Sequence, residues 1–299
     1  MVKEKWILDT DIGCDSDDCM ALGYLLSRDD IELMGITTVS GECHRRALLA
    51  DVICTLAGKN IPICCGNANS LMGDCVQYEM ESSQSEQVDK YPHSDIPTTN
   101  NAVLFMKKII EDNPNEIILA CIGQLTNIGL LFAAYPHIPS LLKGMIVMGG
   151  RYHEDESFDI KKWGIVEWNI KCDPIAAKIV FDADVKNCYV VGIEHTCRFS
   201  KSVTETSEKI KHIPWMEPVA DAILGMTKTW FHDPVAIWAM LYKDEVKWKR
   251  GNISVDLENT NMGMTSFTED ENGKHIVLAD IDVDKFFDSY AEQLGFKWD

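Results

Sequence analysis

The feature that most constrains the fold is a regular alternation between short apolar runs and longer amphipathic segments. The apolar runs predict strands over residues 6–9, 32–39, 61–65, 116–122, 145–148 and 188–193. The amphipathic segments between them predict helices over residues 17–27, 44–57, 102–112, 127–134 and 174–182. Strands that alternate with helices in this way form a mostly parallel sheet. The sequence therefore predicts an α/β fold with a Rossmann-like open sheet and helices on both faces.

Two stretches interrupt this alternation. Residues 66–100 and 151–166 are polar and rich in turn-forming residues, which is typical of functional or mobile loops. Beyond residue 233 we expect a helix through VAIWAMLY, strands near 253–257 and 275–281, and a last helix over 284–294. Because this tail can pack as a small appendage on the same sheet, we expect a single domain over residues 1–299.

The charge balance narrows the range of partners. The chain has 47 acidic and 28 basic residues, which gives a formal net charge of −19. A field of this sign repels phosphate polymers and anionic lipid, so it disfavours binding to nucleic acid and to membrane surfaces. A cation or a neutral polar small molecule suits it better. For most of the acidic residues, solubility is a sufficient explanation.

Cysteine usage indicates a reducing compartment. The eleven cysteines are odd in number, form no CxxC pair, and in several cases lie inside apolar runs. The first residues, MVKEKWILDTD, turn polar too early for a signal peptide. No run approaches the ~20 apolar residues that span a bilayer. We therefore expect a cytoplasmic protein.

The first predicted strand ends in the acidic segment LDTDIGCDSDD. Its five carboxylates are those of Asp9, Asp11, Asp15, Asp17 and Asp18. In an open α/β sheet, the carboxyl end of a strand faces the ligand crevice. A helix cap at Ser16 or Asp17 would explain one or two acids, but not five. Since crowded carboxylates repel one another unless a cation neutralises them, and all-oxygen ligands favour hard ions, the segment indicates a Ca²⁺ or Mg²⁺ site.

Polar motifs also follow later predicted strands. They are GQLTNIGLL with Thr126, VEWNIKCDPIAA with Glu167 and Asn169, and WFHDPVAIWAM with His232 and Asp233. Taken singly, Thr126 and the His232–Asp233 pair are helix caps, and so is Asp173 before Pro174. Glu167 and Asn169 are equally compatible with a solvated loop and with hydrogen bonds to sugar hydroxyls.

The joint order of these motifs is more informative than any one of them. DTDIGxDxDD, LTNI, MGG, EWNIxxDPxAA and HDPxAI follow one another over about residues 5–240 and resemble the nucleoside hydrolase family, specifically its inosine–uridine-preferring superfamily. The resemblance implies the nucleoside hydrolase fold and hydrolysis of ribonucleosides to free base and ribose by a Ca²⁺-activated water. It also implies a homodimer or homotetramer.

The resemblance assigns the metal and catalytic roles as follows. The implied Ca²⁺ ligands are the carboxylates of Asp11, Asp18 and Asp233 and the main-chain carbonyl of Thr126. Asp11 would also act as the general base, and Asp9 would support the site. His232 would supply a proton to the leaving base, because histidine titrates in a suitable range.

The resemblance also implies how the substrate is held. Asp17, Glu167 and Asn169 would bind the ribose hydroxyls, and Glu42 stands where the family has an asparagine that contacts ribose. The first motif is two residues longer than in better-known members, which leaves Asp15 without an assigned role. The loop after residue 66 lacks the family's usual segment, so the sequence identifies no base-binding residue.

Two other functions stay open at this stage. A non-catalytic protein could keep the fold and bind metal and ribose, and Glu42 and the altered loop favour that reading. An aspartate-nucleophile phosphohydrolase also has DxD after its first strand, but Gly13 or Asp15 then stands where it needs a hydroxyl. The negative charge of the segment further disfavours phosphate.

Overall fold

Strands and helices alternate along the computed structural model, which describes residues 3–98, 101–154 and 158–299. The strands are β1 (Glu4–Thr10), β2 (Ile31–Thr38), β3 (Ile63–Cys65), β4 (Ile117–Cys121), β5 (Gly144–Met148), β6 (Cys188–Val191), β7 (Ser200–Lys201), β8 (Thr229–Trp230), β9 (Lys247–Val255), β10 (Thr265–Glu269) and β11 (His275–Asp280). The helices are α1 (Asp17–Leu26), α2 (Cys43–Leu56), α3 (Ser82–Lys90), α4 (Ala102–Asp112), α5 (Thr126–Ala134), α6 (Ile138–Leu141), α7 (Ile160–Trp163), α8 (Trp168–Cys172), α9 (Pro174–Asp182), α10 (Ile193–Thr196), α11 (Val203–Ile210), α12 (Glu217–Ile223), α13 (His232–Leu241) and α14 (Val283–Leu294). Short 3₁₀ turns cover Pro214–Met216 and Asn259–Asn261.

The main sheet has the strand order β10-β9-β11-β6-β5-β4-β1-β2-β3, and β7 and β8 form a separate ribbon. The seven strands β3, β2, β1, β4, β5, β6 and β11 are parallel to their neighbours in this order. At the other edge, β9 pairs antiparallel with β11, and β10 pairs antiparallel with β9. The predicted mostly parallel α/β sheet is confirmed. The strands of the tail belong to this same sheet.

The chain reverses its direction across the sheet between β1 and β4. From β1 it proceeds to β2 and β3 on one side, and then returns to build β4, β5 and β6 on the other. Asp9 at the end of β1 is in register with Thr37 of β2 and Cys121 of β4. Such a switch point opens a crevice at the carboxyl ends of the strands. The acidic segment after β1 therefore lies at the edge of a crevice.

Helices cover both faces of the sheet, as predicted. Side chains of β1 alternate between two hydrophobic cores, with Trp6 and Leu8 on one face and Ile7 on the other. The first core is completed by α1, α2, α12, α13 and α14, and the second by α4, α5 and α9. In the described part of the chain, none of the helices is both long and apolar enough to cross a bilayer.

The structure differs from the predicted elements mainly in the two loops. The predicted loop over 66–100 contains α3, and the one over 151–166 contains α7; residues 99–100 and 155–157 lie outside the described residues. Helix α3 was missed because its buried side chains include Gln84 and Gln87, which give no apolar periodicity. The predicted strand over 188–193 is shorter in the structure, because β6 ends at Val191 and Ile193 begins α10. The strand expected near residue 253 begins earlier, at Lys247.

Candidate active site

A cavity of about 580 Å³ lies at the switch point. This volume is within the usual range for sites that bind small molecules. The residues that line it include most of those selected from the sequence, namely Asp11, Asp17, Asp18, Glu167, Asn169, His232 and Asp233. Asp15 lines the cavity as well. Segments far apart in the chain thus contribute to one site.

Three carboxylates converge at one point of this cavity. Asp17, Asp18 and Asp233 are buried, and oxygen atoms from all three lie within 4.8 Å of one another. We call these residues the carboxylate cluster. Burial raises the pKa of each carboxyl well above its ordinary range, and repulsion from neighbouring carboxylates raises it further. A hard divalent cation would relieve both effects, and the all-oxygen donor set fits such an ion.

The cluster overlaps with the ligand set implied by the sequence but does not coincide with it. Both sets contain Asp18 and Asp233. The resemblance adds Asp11, whereas the third converging carboxylate is that of Asp17, which we expected to bind ribose. Asp11 lines the same cavity, and its pKa is also raised by burial, although the nearby Arg46 guanidinium opposes the shift.

Thr126 is not among the described residues that line the cavity, contrary to its expected role as a carbonyl ligand. Its hydroxyl donates a hydrogen bond of 2.6 Å to Asp173 Oδ2, and the residue begins α5. The residue of this segment that does line the cavity is Ile122, directly after β4. The Ile122 carbonyl oxygen accepts a hydrogen bond from Asn169 Nδ2 at 2.8 Å. The main-chain carbonyl at the cavity is thus that of Ile122, four residues before Thr126, whose carbonyl we expected there.

Glu42 is likewise absent from the described lining of the cavity, so the predicted contact with ribose is not supported. Its Oε2 accepts a hydrogen bond of 2.9 Å from the Met80 backbone amide, and its own amide donates to the Tyr78 carbonyl at 3.0 Å. A carboxylate at this position therefore anchors residues 77–81. The residue type at position 42 could not reveal this anchoring role, because Met80, the partner of the Glu42 carboxylate, is 38 residues away in the chain.

Glu167 and Asn169 are buried and largely committed to bonds that shape the cavity. Glu167 accepts from the backbone amides of Gly150, Asn169 and Ile170 at 2.9, 2.9 and 3.1 Å. It thereby caps α8, so the alternative of a solvated loop is wrong. Asn169 Nδ2 bonds the carbonyls of Ile122 and Met148. This leaves Asn169 Oδ1 as an acceptor for a hydroxyl group.

His232 is buried beside the carboxylate cluster. Its Nδ1 lies 2.8 Å from the Thr196 hydroxyl, and its ring stacks on Trp230 with centroids 5.7 Å apart. Burial lowers the pKa of His232 to about 3, with a smaller contribution from Lys162. Burial thus favours the neutral imidazole near neutral pH, and the role of His232 as a proton donor stays a prediction.

Asp9 lies beneath the cavity and is fully buried. Its Oδ1 accepts hydrogen bonds from Thr37 Oγ1 at 2.5 Å and from Asn127 Nδ2 at 2.7 Å. Burial raises its pKa to about 7, against the opposing effect of these two hydrogen bonds. Asp9 thus joins β1, β2 and α5 under the acidic segment, in line with the supporting role that we expected.

Arg46 of α2 is a site residue that the sequence analysis missed. Its side chain is fully buried. It donates to the carbonyls of Asp11 and Ile12 after β1, to the Ser40 carbonyl at 2.7 Å and to the Gln77 carbonyl at 3.3 Å. A buried guanidinium beside crowded carboxylates both neutralises charge and fixes the loop that carries them. As one of two adjacent arginines inside the motif CHRRALLA, Arg46 gave no sign of this in the sequence.

Residues 77–81, which we call the docking segment, form one wall of the cavity. Gln77 and Glu81 line it, and the Glu81 amide donates to the Gly13 carbonyl at 2.9 Å. The approach is close at Gly41, which has a φ of +52°. A β-carbon there would lie 1.9 Å from the Tyr78 carbonyl oxygen. Glycine at 41 is thus required for the docking segment to reach the site.

Another part of the cavity lining, which we call the tryptophan wall, consists of Trp163, Trp168 and Trp230. Trp163 meets Trp230 edge to face, with ring centroids 4.8 Å apart. The indole Nε1 of Trp168 donates to Gln77 Oε1 at 2.6 Å, which links the two walls. An aromatic surface of this kind suits a flat heterocycle.

The sheet order and the carboxylate-lined cavity at its switch point define an α/β protein whose site suits a small molecule and a hard cation. The model of the family of inosine-uridine preferring nucleoside hydrolases matches residues 6–288. The chain belongs to this family and is a nucleoside hydrolase, an enzyme that hydrolyses the N-glycosidic bond of ribonucleosides.

Relatives of known sequence and structure agree with this assignment. The chain is 27% identical to uridine nucleosidase 1 of Arabidopsis thaliana over 285 residues, covering 88% of this chain and 81% of the relative. It is 28% identical to the pyrimidine-specific ribonucleoside hydrolase RihA of Citrobacter koseri over 308 residues, covering 94% and 95%. The fold is similar to that of a purine-preferring ribonucleoside hydrolase from Gardnerella vaginalis, with a TM-score of 0.81, 21% identity, and coverage of 97% and 98%.

Replacement of Arg46 by methionine tests its role in holding the acidic loop. The change removes the buried cation and leaves the carbonyl groups that it serves without donors. We expect the free energy of unfolding to fall by about 3–5 kcal/mol, measured by urea denaturation. Arg45→Met is the matched control, because Arg45 pairs with the exposed Asp89 and should cost no more than about 1 kcal/mol. Equal losses in both variants would show that Arg46 has no special role.

Proposed function

We propose that this protein hydrolyses the N-glycosidic bond of ribonucleosides with the aid of a Ca²⁺ ion held at the carboxylate cluster. The observation that carries the proposal is the convergence of Asp17, Asp18 and Asp233 beside hydroxyl-binding groups and an aromatic wall. Cleavage of this bond builds positive charge on the ribose, and fixed negative charge nearby favours that transition state. A bound Ca²⁺ would orient a water molecule and lower its pKa.

Four carboxylates are available to hold the cation. Asp18 and Asp233 are common to the sequence-implied set and to the carboxylate cluster, and Asp11 and Asp17 flank them in the same cavity. Among main-chain groups, the carbonyl of Ile122 is a better candidate ligand than that of Thr126, since Ile122 lines the cavity. Several oxygen donors of this kind suit the flexible coordination of Ca²⁺ better than the strict octahedron of Mg²⁺.

Asp11 is the proposed general base. It lies in the cavity outside the three converging carboxylates, so its carboxylate is available to accept a proton from the attacking water. Ribose would be held by Asn169 Oδ1, by the remaining acceptor capacity of Glu167 and by Asp17. Such contacts remote from the reacting carbon orient it for attack.

His232 is proposed to stabilise the leaving base as a neutral hydrogen-bond donor. When the Thr196 hydroxyl donates to Nδ1 at 2.8 Å rather than to the Ile193 carbonyl at 3.5 Å, the proton of the neutral ring is on Nε2. A neutral imidazole can hydrogen-bond to a group that develops negative charge without first being protonated. This role replaces the charged acid that the sequence suggested.

The tryptophan wall is proposed to bind the nucleobase. Trp163 and Trp230 offer indole surfaces, and the Lys162 ammonium lies 4.1 Å from the Trp230 ring centroid and 4.3 Å from that of Trp163. Stacking on indole is available to purines and pyrimidines alike. Relatives are described as uridine nucleosidases and as pyrimidine-specific hydrolases, which favours uridine as a first substrate.

The alternative functions are less well supported by this site. A phosphohydrolase would need a phosphate beside several buried carboxylates, where repulsion opposes binding. A non-catalytic sensor drew its support from Glu42 and from the altered loop. Glu42 instead anchors the docking segment, and the loop supplies one wall of the cavity.

A panel of ribonucleosides assayed for reducing sugar in the presence of Ca²⁺ tests the proposed function. We expect free base and ribose from at least one nucleoside, uridine first. Asp11→Ala should lower kcat by about a thousandfold, because it removes the base, and leave the far-UV circular dichroism spectrum unchanged. Absence of release from every nucleoside, with Ca²⁺ demonstrably bound, would favour the sensor. Full activity of Asp11→Ala would exclude the proposed base.

Calorimetric titration with Ca²⁺ tests the cation site. Asp18→Asn removes one of the converging charges, so the dissociation constant should rise by at least about a hundredfold. Asp15→Asn is the matched control, since Asp15 lines the same cavity outside the carboxylate cluster. Its effect should stay within about tenfold, because only a more distant charge is lost. Similar losses in the two variants would contradict the proposed ligand set.

The leaving-group dependence of His232→Ala tests the role of the imidazole. We expect kcat for uridine to fall by about a hundredfold or more, because the departing base loses its hydrogen-bond donor. Hydrolysis of p-nitrophenyl riboside, whose leaving group needs no such help, should change only a few-fold. A uniform loss for both substrates would mean that His232 acts on ribose or on the cation instead.

A further inference from the structure

A second group of potential metal ligands lies outside the catalytic cavity. His153 follows β5, and Glu194 and His195 belong to α10. Their ligand atoms lie within 4.8 Å of one another. We call these residues the histidine cluster. None of its three members is among the described residues that line the catalytic cavity. Nothing in the reaction proposed above uses them.

Two atoms of this cluster are buried without a hydrogen-bond partner in the described structure. They are Glu194 Oε2 and His195 Nε2, on side chains only 2% and 9% exposed. The other Glu194 oxygen accepts from the backbone amides of Tyr152 and His153 at 3.0 and 3.1 Å. The carboxylate is therefore fixed in place with one oxygen facing no donor. Buried polar atoms are almost always satisfied, so an ion or a water molecule is expected beside this pair.

In its neutral form, the His153 ring keeps one nitrogen free to bind a metal. His153 Nε2 lies 3.0 Å from the Leu278 carbonyl oxygen, which can only accept, so the ring proton is on Nε2. This leaves a lone pair on His153 Nδ1. A backbone carbonyl that fixes the tautomer in this way is the usual outer partner of a metal-binding histidine.

We propose that His153, Glu194 and His195 bind a Zn²⁺ ion. Two imidazole nitrogens and one carboxylate oxygen form a donor set that zinc prefers, whereas Ca²⁺ prefers oxygen ligands alone. The donor chemistry thus separates this site from the carboxylate cluster. The half-buried His153 leaves one side open, which would accommodate a water molecule as the fourth ligand.

The proposed zinc connects to the catalytic cavity through α10. This helix is only four residues long and contains two of the three ligands. Its first residue, Ile193, lines the catalytic cavity, and its last, Thr196, contacts His232 Nδ1. An ion on Glu194 and His195 would therefore fix Thr196 and act as a positioning element for His232.

Zinc uptake by the metal-stripped, full-length protein tests this proposal. With the carboxylate cluster saturated by excess Ca²⁺, we expect one Zn²⁺ per chain by elemental analysis and a higher melting temperature. Substitution of Co²⁺ should give the visible absorption of a tetrahedral site with nitrogen ligands. Glu194→Gln and His153→Ala should each weaken zinc binding by about tenfold or more. His212→Ala, at an exposed histidine outside the cluster, should bind like the wild type.

Several results would overturn the proposal. One is no zinc uptake in the presence of Ca²⁺, and another is zinc that excess Ca²⁺ displaces, which would place it in the carboxylate cluster. Unchanged uptake by both Glu194→Gln and His153→Ala would also exclude the histidine cluster. Because these readouts require no turnover, they are independent of whether the proposed function is correct.

Discussion

The structure depends on one electrostatic constraint, which is the crowding of carboxylates at the buried end of β1. Asp17, Asp18 and Asp233 converge out of reach of bulk water, where like charges repel strongly. The positive charge of the fully buried Arg46 offsets part of this repulsion, and its guanidinium donates hydrogen bonds to the Asp11 and Ile12 carbonyls of the acidic loop. The remaining negative charge favours a cation, and together these charges suit a reaction that makes ribose positive.

The two walls of the cavity show how the rest of the chain serves this centre. The docking segment is held by Glu42 and by close backbone contact at Gly41, and it meets the tryptophan wall through Gln77 and Trp168. Helix α10 contributes Ile193 to the cavity lining and Glu194 and His195 to the histidine cluster. Its position joins the proposed zinc to the hydrogen bond between Thr196 and His232. His232 is thus oriented by contacts outside the carboxylate cluster.

Helix-capping preferences could not distinguish structural residues from site residues. Asp173 caps α9 as predicted, by accepting from the Ala176 amide. Within the described residues, Thr126 and His232 instead occupy helix starts without forming such caps. Thr126 bonds Asp173, and His232 pairs with Thr196. The local pattern is the same in all three cases, and the partner decides the role. That partner is local for Asp173 and distant in sequence for Thr126 and His232.

The sequence by itself determined the α/β fold, the position of the acidic segment at a strand end and, through the order of its motifs, the family. These properties follow from periodicity and local spacing, which a linear pattern records directly. Only the tertiary structure decided which carboxylates converge, that Glu42 and Thr126 serve the scaffold, and that Arg46 lies beneath the site. It also buries His232, which lowers the pKa of its imidazole. Such properties depend on burial and on contacts between distant segments, and a linear pattern contains neither.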